Sequence, residues 1–159
     1  YRMIREGAAA AVPDLDFHEA QPASDGELAL AHHPDYIARA SAGQLTAAEQ
    51  REIGFPWSPQ MVERSRRSSG ATIAACRAAF SEGIAVNLAG GTHHAYADHG
   101  AGFCVFNDAA IAGASNLACV LSAESTPQRR IHASAPNAYP RAECIPPPRR
   151  RRVDSARSR

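Results

Sequence analysis

Gly83-Ile84-Ala85-Val86-Asn87-Leu88-Ala89-Gly90-Gly91-Thr92-His93-His94 decides the fold class of this 159-residue chain. A short apolar run bounded by glycines reads as a buried strand. Upstream, Ser58 as N-cap and Pro59 at the first helical position open a helix of roughly six turns. Gly83 closes that helix as its C-terminal glycine. Met61 or Val62, Ser65, Ser69, Thr72 and Ile73, Cys76, and Ala79 and Phe80 repeat at the spacing of one buried helical face. A long helix leading into an apolar run predicts a parallel strand. After the loop 90–102, a second helix starts near Asn107-Asp108 and continues through Ala109, Ala110 and Ile111. Helix, strand, loop and helix in this order are an α/β signature.

Toward the N-terminus the elements are shorter. Residues 13–24 mix Pro, Asp and His and read as a loop or short edge strand. Asp25 caps a short helix carrying Leu28 and Leu30, and Pro34 sits in the first turn of another, through Tyr36 and Ile37. Thr46 and Glu49 have the capping-box spacing, so a further helix runs to about Ile53. Gly54-Phe55-Pro56-Trp57 is an aromatic-rich break. The opening residues 1–12 contain too short an apolar run for a signal peptide. With no Met at position 1, the chain reads as beginning inside a longer domain.

Composition separates the chain into two parts. Alanine supplies 34 residues, while Leu, Ile, Val and Phe total only 26, low for a packed core. All 17 basic residues are Arg. Residues 1–128 carry 8 Arg against 14 acids, and residues 129–159 carry 9 Arg against 2 acids, so the formal net charge of +1 masks opposite halves. No glycine occurs in the last 46 residues, and 6 of the 11 prolines lie between Pro127 and Pro148. Residues 126–159 therefore read as a disordered Arg/Pro-rich tail, with 114–125 as a continuation of the last helix. The Arg149–Arg152 cluster lacks interleaved aromatics, so a solvated tail is favoured over nucleic-acid contact. No apolar run approaches the ~20 residues of a membrane span. The four cysteines form no Cys-x-x-Cys pair, which suggests reduced thiols in a cytoplasmic protein.

The chemistry concentrates in residues 88–108. Two adjacent histidines stand at the mouth of the expected strand, after a Gly-Gly turn, where ligands bind in open α/β sheets. Imidazole transfers protons near neutral pH, so His93 and His94 can act together as base and acid. Alternatively, the pair caps the loop with hydrogen bonds, and spacing alone favours that plainer role. Cys104 reads as a buried structural thiol, Asp98-His99 as a solvated loop pair, and His32-His33 as a helix-boundary feature.

Gly-Gly-Thr-His93-His94-Ala followed by Gly102-Phe103-Cys104-Val105-Phe106-Asn107-Asp108 closely resembles the histone deacetylase family. That family includes acetylpolyamine amidohydrolases and a bacterial class IV-like branch, which Gly54-Phe55-Pro56-Trp57-Ser58 also resembles. His33-Pro34-Asp35-Tyr36-Ile37 is similar to the family's His-x-x-Tyr segment, and Ser69-Gly70-Ala71-Thr72-Ile73 to a run in its long helix. The resemblance covers residues 1 to about 112, the N-terminal part of a longer catalytic domain. It implies an arginase/deacetylase-like α/β fold: a three-layer open parallel sheet flanked by helices, incomplete here, with residues 1–113 as a partial domain.

The implied activity is zinc-dependent hydrolysis of an amide, with acetylated lysine or a small acetylated amine as substrate. The metal polarises the acetyl carbonyl and acidifies a bound water. By resemblance, His93 and His94 share general base and general acid duties, and Gly102 and Phe103 line the narrow substrate tunnel. The family's zinc ligands, an Asp-x-His pair and a second Asp, have no counterpart after residue 112. His132 lacks an Asp two positions before it, and Asp154 stands alone in the tail. The loop before the long helix also lacks the acidic residue with which many members hold the substrate backbone. The chain is therefore expected to be an inactive fragment or non-enzymatic remnant, marginally stable, with a tail read from a shifted frame of GC-rich DNA.

Overall fold

Capping residues set where each helix begins. The computed structural model describes residues 1–124, with side chains as far as Leu117. Six helices follow one another: α1 (Arg2–Ala11), α2 (Asp25–Leu28), α3 (Pro34–Ala42), α4 (Ala47–Ile53), α5 (Pro59–Glu82) and α6 (Asp108–Glu124). Ser58 accepts the Met61 N–H at the start of α5, with Pro59 in the first turn and Gly83 as C-cap. Thr46 and Glu49 form the expected reciprocal capping box on α4. At α2 the cap is Ser24, one residue before Asp25, because its hydroxyl and the Glu27 carboxylate satisfy each other's backbone N–H groups. Helix α1 was not anticipated. Its Ala-rich composition favours helix without any buried residue.

Helix α5 is the spine. Helix α6 packs along it, α3 also touches it, and α2 bridges α3 and α6. The core gathers Leu28, Tyr36, Ile37, Ile53, Ile73, Val105, Phe106 and Ile111. Burying a side chain of this size stabilises by about 1.5–3 kcal/mol. Arg66 fastens α5 to the segment before α2: its guanidinium donates to the Ala23 carbonyl at 3.2 Å, Asp25 at 2.6 Å and the Ser41 hydroxyl at 2.8 Å. The buried face of α5 is shorter than its periodicity predicts. Met61, Val62, Ser69 and Ile73 are buried, whereas Phe80 near the C-terminus is 41% exposed.

The main departure concerns the sheet. No strand occurs among the described residues, and the one isolated bridge joins Ala101 to Cys104. The expected parallel strand Ile84–Ala89 is irregular, with Ile84 79% and Val86 72% exposed. A strand's N–H and C=O groups need a neighbouring strand, and the described residues offer none. Asn87 instead ties the segment to α5, donating to the Ser68 carbonyl at 3.1 Å and the Thr72 hydroxyl at 2.9 Å. Residues 13–24 likewise contain no strand. Helix α6 is described as far as Glu124. The tail, with Arg149–Arg152, lies outside the described residues.

Candidate functional site

The loop between residues 90 and 107 is held by backbone bonds to two earlier helices. His33 N–H donates to the Ala97 carbonyl at 2.7 Å, Gly102 N–H to Glu52 at 3.1 Å and Phe103 N–H to Ile53 at 2.7 Å. The loop therefore rests on the start of α3 and the end of α4. Tyr36 adds an anchor from below: its buried hydroxyl donates to the Val105 carbonyl at 2.8 Å. Burial pushes the Tyr36 phenol well above its usual range, so it remains a donor.

His93 and His94 are exposed, with ring centroids 4.2 Å apart and planes inclined by 40°. His93 Nδ1 lies 2.7 Å from the Gly91 carbonyl oxygen. A carbonyl only accepts, so Nδ1 carries the proton and Nε2 of the neutral ring keeps its lone pair. The structure thus brings the two histidines together and leaves both open to a ligand.

Gly102 and Phe103 complete this surface. Both have left-handed backbone, at φ 52° and φ 62°. At Gly102 a Cβ would lie 3.2 Å from the Cβ of His94, so glycine allows the loop to lie against the histidine. At Phe103 the bonds to α4 hold a conformation unusual for a bulky residue. Its ring is 67% exposed and stacks on Phe55, centroids 6.2 Å apart and planes 29° apart. Phe55, from the aromatic break after α4, thus packs beside Phe103 although no spacing rule links the two.

Three further residues hold the site from behind; the sequence marks Asn107 and Asp108 only as a helix start within the motif, and His32 only as a helix-boundary feature. Asn107 N-caps α6 through its Oδ1, which accepts the Ala110 N–H at 3.0 Å. Its Nδ2 donates to the carbonyls of His93 at 3.2 Å and Ala95 at 2.9 Å. Asp108 is 1% exposed and accepts both the Ser68 and the Ser69 hydroxyl at 2.7 Å. His32 is 3% exposed, and its Nε2 accepts the Asn107 backbone N–H at 2.9 Å. Its ring packs edge-on against Phe106, centroids 5.5 Å apart. Burial lowers the His32 pKa, against opposing effects of the Tyr96 and Ala97 backbone and the Asp108 charge. Its neighbour His33 does mark the helix boundary, with Nδ1 accepting the Asp35 N–H at 3.3 Å. Only the unusual pairing of Asn-Asp at a helix start could have flagged this framework.

The remaining candidates keep plainer roles. Cys104 is buried, and its thiol faces the Gly102 carbonyl at 3.5 Å. Asp98 and His99 form an exposed pair at 2.7 Å, which holds the Asp98 carboxyl below its usual range. Zinc does not fit the described residues: no three of His, Cys, Asp or Glu come together as ligands, and both Asp108 oxygens are occupied by serine hydroxyls. No helix among them is long and apolar enough to cross a membrane.

The chain is similar to known proteins along most of its described length. The family model for the histone deacetylase domain matches residues 1–123, somewhat beyond residue 112, where the motif resemblance stops. An uncharacterized protein from Picosynechococcus sp. is 48% identical over 85 residues, covering 54% of this chain and 28% of the relative. The acetoin utilization protein AcuC of Bacillus subtilis is 36% identical over 112 residues, covering 64% of this chain and 29% of that protein. The chain thus spans under a third of the length of these curated relatives. Among solved structures, a histone deacetylase homologue from Aquifex aeolicus matches with a TM-score of 0.55 and 29% identity, covering 74% of this chain and 33% of that one. A structure described as a histone deacetylase homologue complexed with SAHA matches equally, with a TM-score of 0.55 and 29% identity over 74% of this chain and 33% of that one. The paired histidines, the Gly-Phe turn beside them and the capped helix behind them are therefore the N-terminal portion of a shared domain, and the chain belongs to the histone deacetylase family.

Proposed function

We propose that residues 1–117 form the proton-transfer and substrate-wall half of a deacetylase site for an acetylated lysine or small acetylated amine. The observation that carries this reading is the His93–His94 pair, 4.2 Å apart, with His93 Nδ1 bonded to the Gly91 carbonyl. His93 Nε2 is free to take a proton from an attacking water, and His94 stands beside it to share proton delivery to the leaving amine. The exposed ring of Phe103, stacked on the half-buried Phe55, offers apolar surface to the aliphatic stem of the substrate. Gly102 leaves room there that a larger residue would fill.

The family resemblance implies zinc, which supplies carbonyl polarisation and an acidified water when bound. Because the described residues contain no ligand group for it, the 159-residue chain is read as lacking turnover by itself. Zinc stoichiometry and hydrolysis of acetyl-lysine peptide and acetylated polyamine test this directly. Tight binding of one zinc with turnover would overturn the reading of an incomplete site. The origin of the Arg-rich tail has its own test, translation of the encoding DNA in the other two frames. An Asp-x-His pair after a strand-like run is expected in one of them, and its absence from both would sink the frameshift idea. In a protein restored to that frame, His93→Ala and His94→Ala should each slow hydrolysis by about 10²-fold or more, the contribution of a positioned acid or base. Unaltered rates would reject the assigned roles.

A further inference from the structure

We infer that His32 is a positioning residue for the His93–His94 pair, acting through Asn107. This inference rests on the reading of that pair as the proton-transfer groups, but the arrangement it describes is a property of the chain itself.

His32 and Asn107 are 75 residues apart in sequence and meet through a single bond, Asn107 N–H to His32 Nε2 at 2.9 Å. A nitrogen that accepts a hydrogen bond carries no proton, so His32 is neutral with its proton on Nδ1. That Nδ1 is buried beside the Tyr96 and Ala97 backbone but makes no hydrogen bond of good geometry among the described residues. A buried polar atom left unpaired costs stability, so packing alone would be served better by an apolar ring. What the histidine adds is the acceptor at Nε2.

Asn107 converts this one bond into control of the catalytic loop. Its backbone N–H is held by His32, its Oδ1 by the Ala110 N–H, and its Nδ2 reaches the carbonyls of His93 and Ala95. Every strong polar group it can direct at the loop is committed. Losing the His32 acceptor frees the Asn107 backbone and loosens the amide that holds the His93 carbonyl. The groups facing His32 are few: the Asp108 carboxylate from α6, the Tyr36 hydroxyl from α3, turned to the Val105 carbonyl, and the Tyr96 and Ala97 backbone. Asp108 favours the charged ring, but burial dominates and keeps it neutral. Protonation would replace the Nε2 lone pair with a donor facing another donor. The loop anchor would then fail.

Hydrogen exchange read by mass spectrometry tests this on the full 159-residue chain at micromolar concentration. Exchange of imidazole Cε1–H reports each histidine's pKa, and amide exchange reports Asn107. In the unmutated chain His32 should titrate below the ordinary imidazole value of 6.5. An equal or higher midpoint would overturn the inference, because a charged ring cannot accept the Asn107 N–H. In His32→Phe, which keeps a ring but no acceptor, Asn107 amide exchange should quicken about tenfold, the scale of one net hydrogen bond. The His93 and His94 profiles should shift with it. His32→Gln returns an acceptor and should restore both. Unchanged His93 and His94 profiles in a folded His32→Phe would refute the positioning role. Should that variant not fold, His32→Gln decides, since a folded His32→Gln with displaced profiles refutes it equally. These readouts report placement whether or not the pair catalyses, so they stand apart from the turnover test of His93→Ala and His94→Ala.

Discussion

Ser69 Oγ donates to Asp108 Oδ1 at 2.7 Å, and both residues are buried, at 0% and 1% exposure. The bond joins the middle of α5 to the first turn of α6, next to Asn107. A carboxylate removed from water must have its oxygens satisfied, and here Ser68 and Ser69 divide the task. Ser69→Ala should cost about 1–3 kcal/mol, the penalty for leaving a buried acceptor unpaired. Urea denaturation measures it. The loss should shrink in an Asp108→Ala background, because no carboxylate then remains to be satisfied. Equal losses in both backgrounds would show that the bond contributes nothing by itself.

Glu49 predicts a pH dependence of stability. The Thr46 backbone N–H and the Arg39 guanidinium, 2.7 Å away, hold its carboxyl down from 4.5 to about 2. A carboxyl with a depressed folded-state pKa stabilises the fold above its unfolded value. That stability is lost as pH falls from about 4.5 through about 2. Glu49→Gln should flatten this part of the stability profile by lowering stability at neutral pH, where the carboxylate contributes fully, while leaving the acid end little changed. Denaturation midpoints collected across the window check this, and parallel profiles would contradict it.

Gly102→Ala tests the closeness of the Gly-Phe turn to the histidines. The added Cβ meets His94 Cβ at 3.2 Å and must sit on left-handed backbone, at φ 52°. Left-handed backbone alone costs about 1–2 kcal/mol for a residue with a Cβ. The expected result is a stability loss of that order together with a shifted His94 titration. A His94 profile identical to the unmutated chain would mean the neighbour yields without moving the ring.

Trp57→Phe should destabilise by about 1 kcal/mol, the net value of a hydrogen bond. The indole Nε1 donates to the Ala40 carbonyl at 2.8 Å, near the C-terminal end of α3, whereas a phenyl ring leaves that carbonyl unpaired. Thermal denaturation of the two proteins would expose a smaller effect if water replaces the donor.

Among the described residues, Phe80, Ile84, Val86 and Leu117 are apolar side chains left 41%, 79%, 72% and 60% exposed. Exposed apolar surface of this kind favours association, so the chain should self-associate as its concentration rises. The double variant Ile84→Glu with Val86→Glu should remain monomeric to higher concentration in sedimentation velocity. A stable monomer with a cooperative thermal transition in the unmutated chain would show the expectation of marginal stability to be wrong.

Helix limits were readable because capping is local. Ser58-Pro59 with Gly83, Thr46 with Glu49, and Pro34 each act within a few residues of the backbone groups they satisfy. The His93-His94 motif and the Gly102-Phe103 turn were readable as a pattern of residue types. What local pattern could not supply was partnership across the chain. Ile84–Ala89 has the composition of a buried strand, yet a strand exists only where another strand accepts its hydrogen bonds. His32 and His33 are adjacent and chemically identical, yet one caps α3 in solvent reach and the other lies in the core against Phe106. That division was decided by the tertiary structure alone, because only packing brings Asn107, 75 residues away, to the nitrogen of His32.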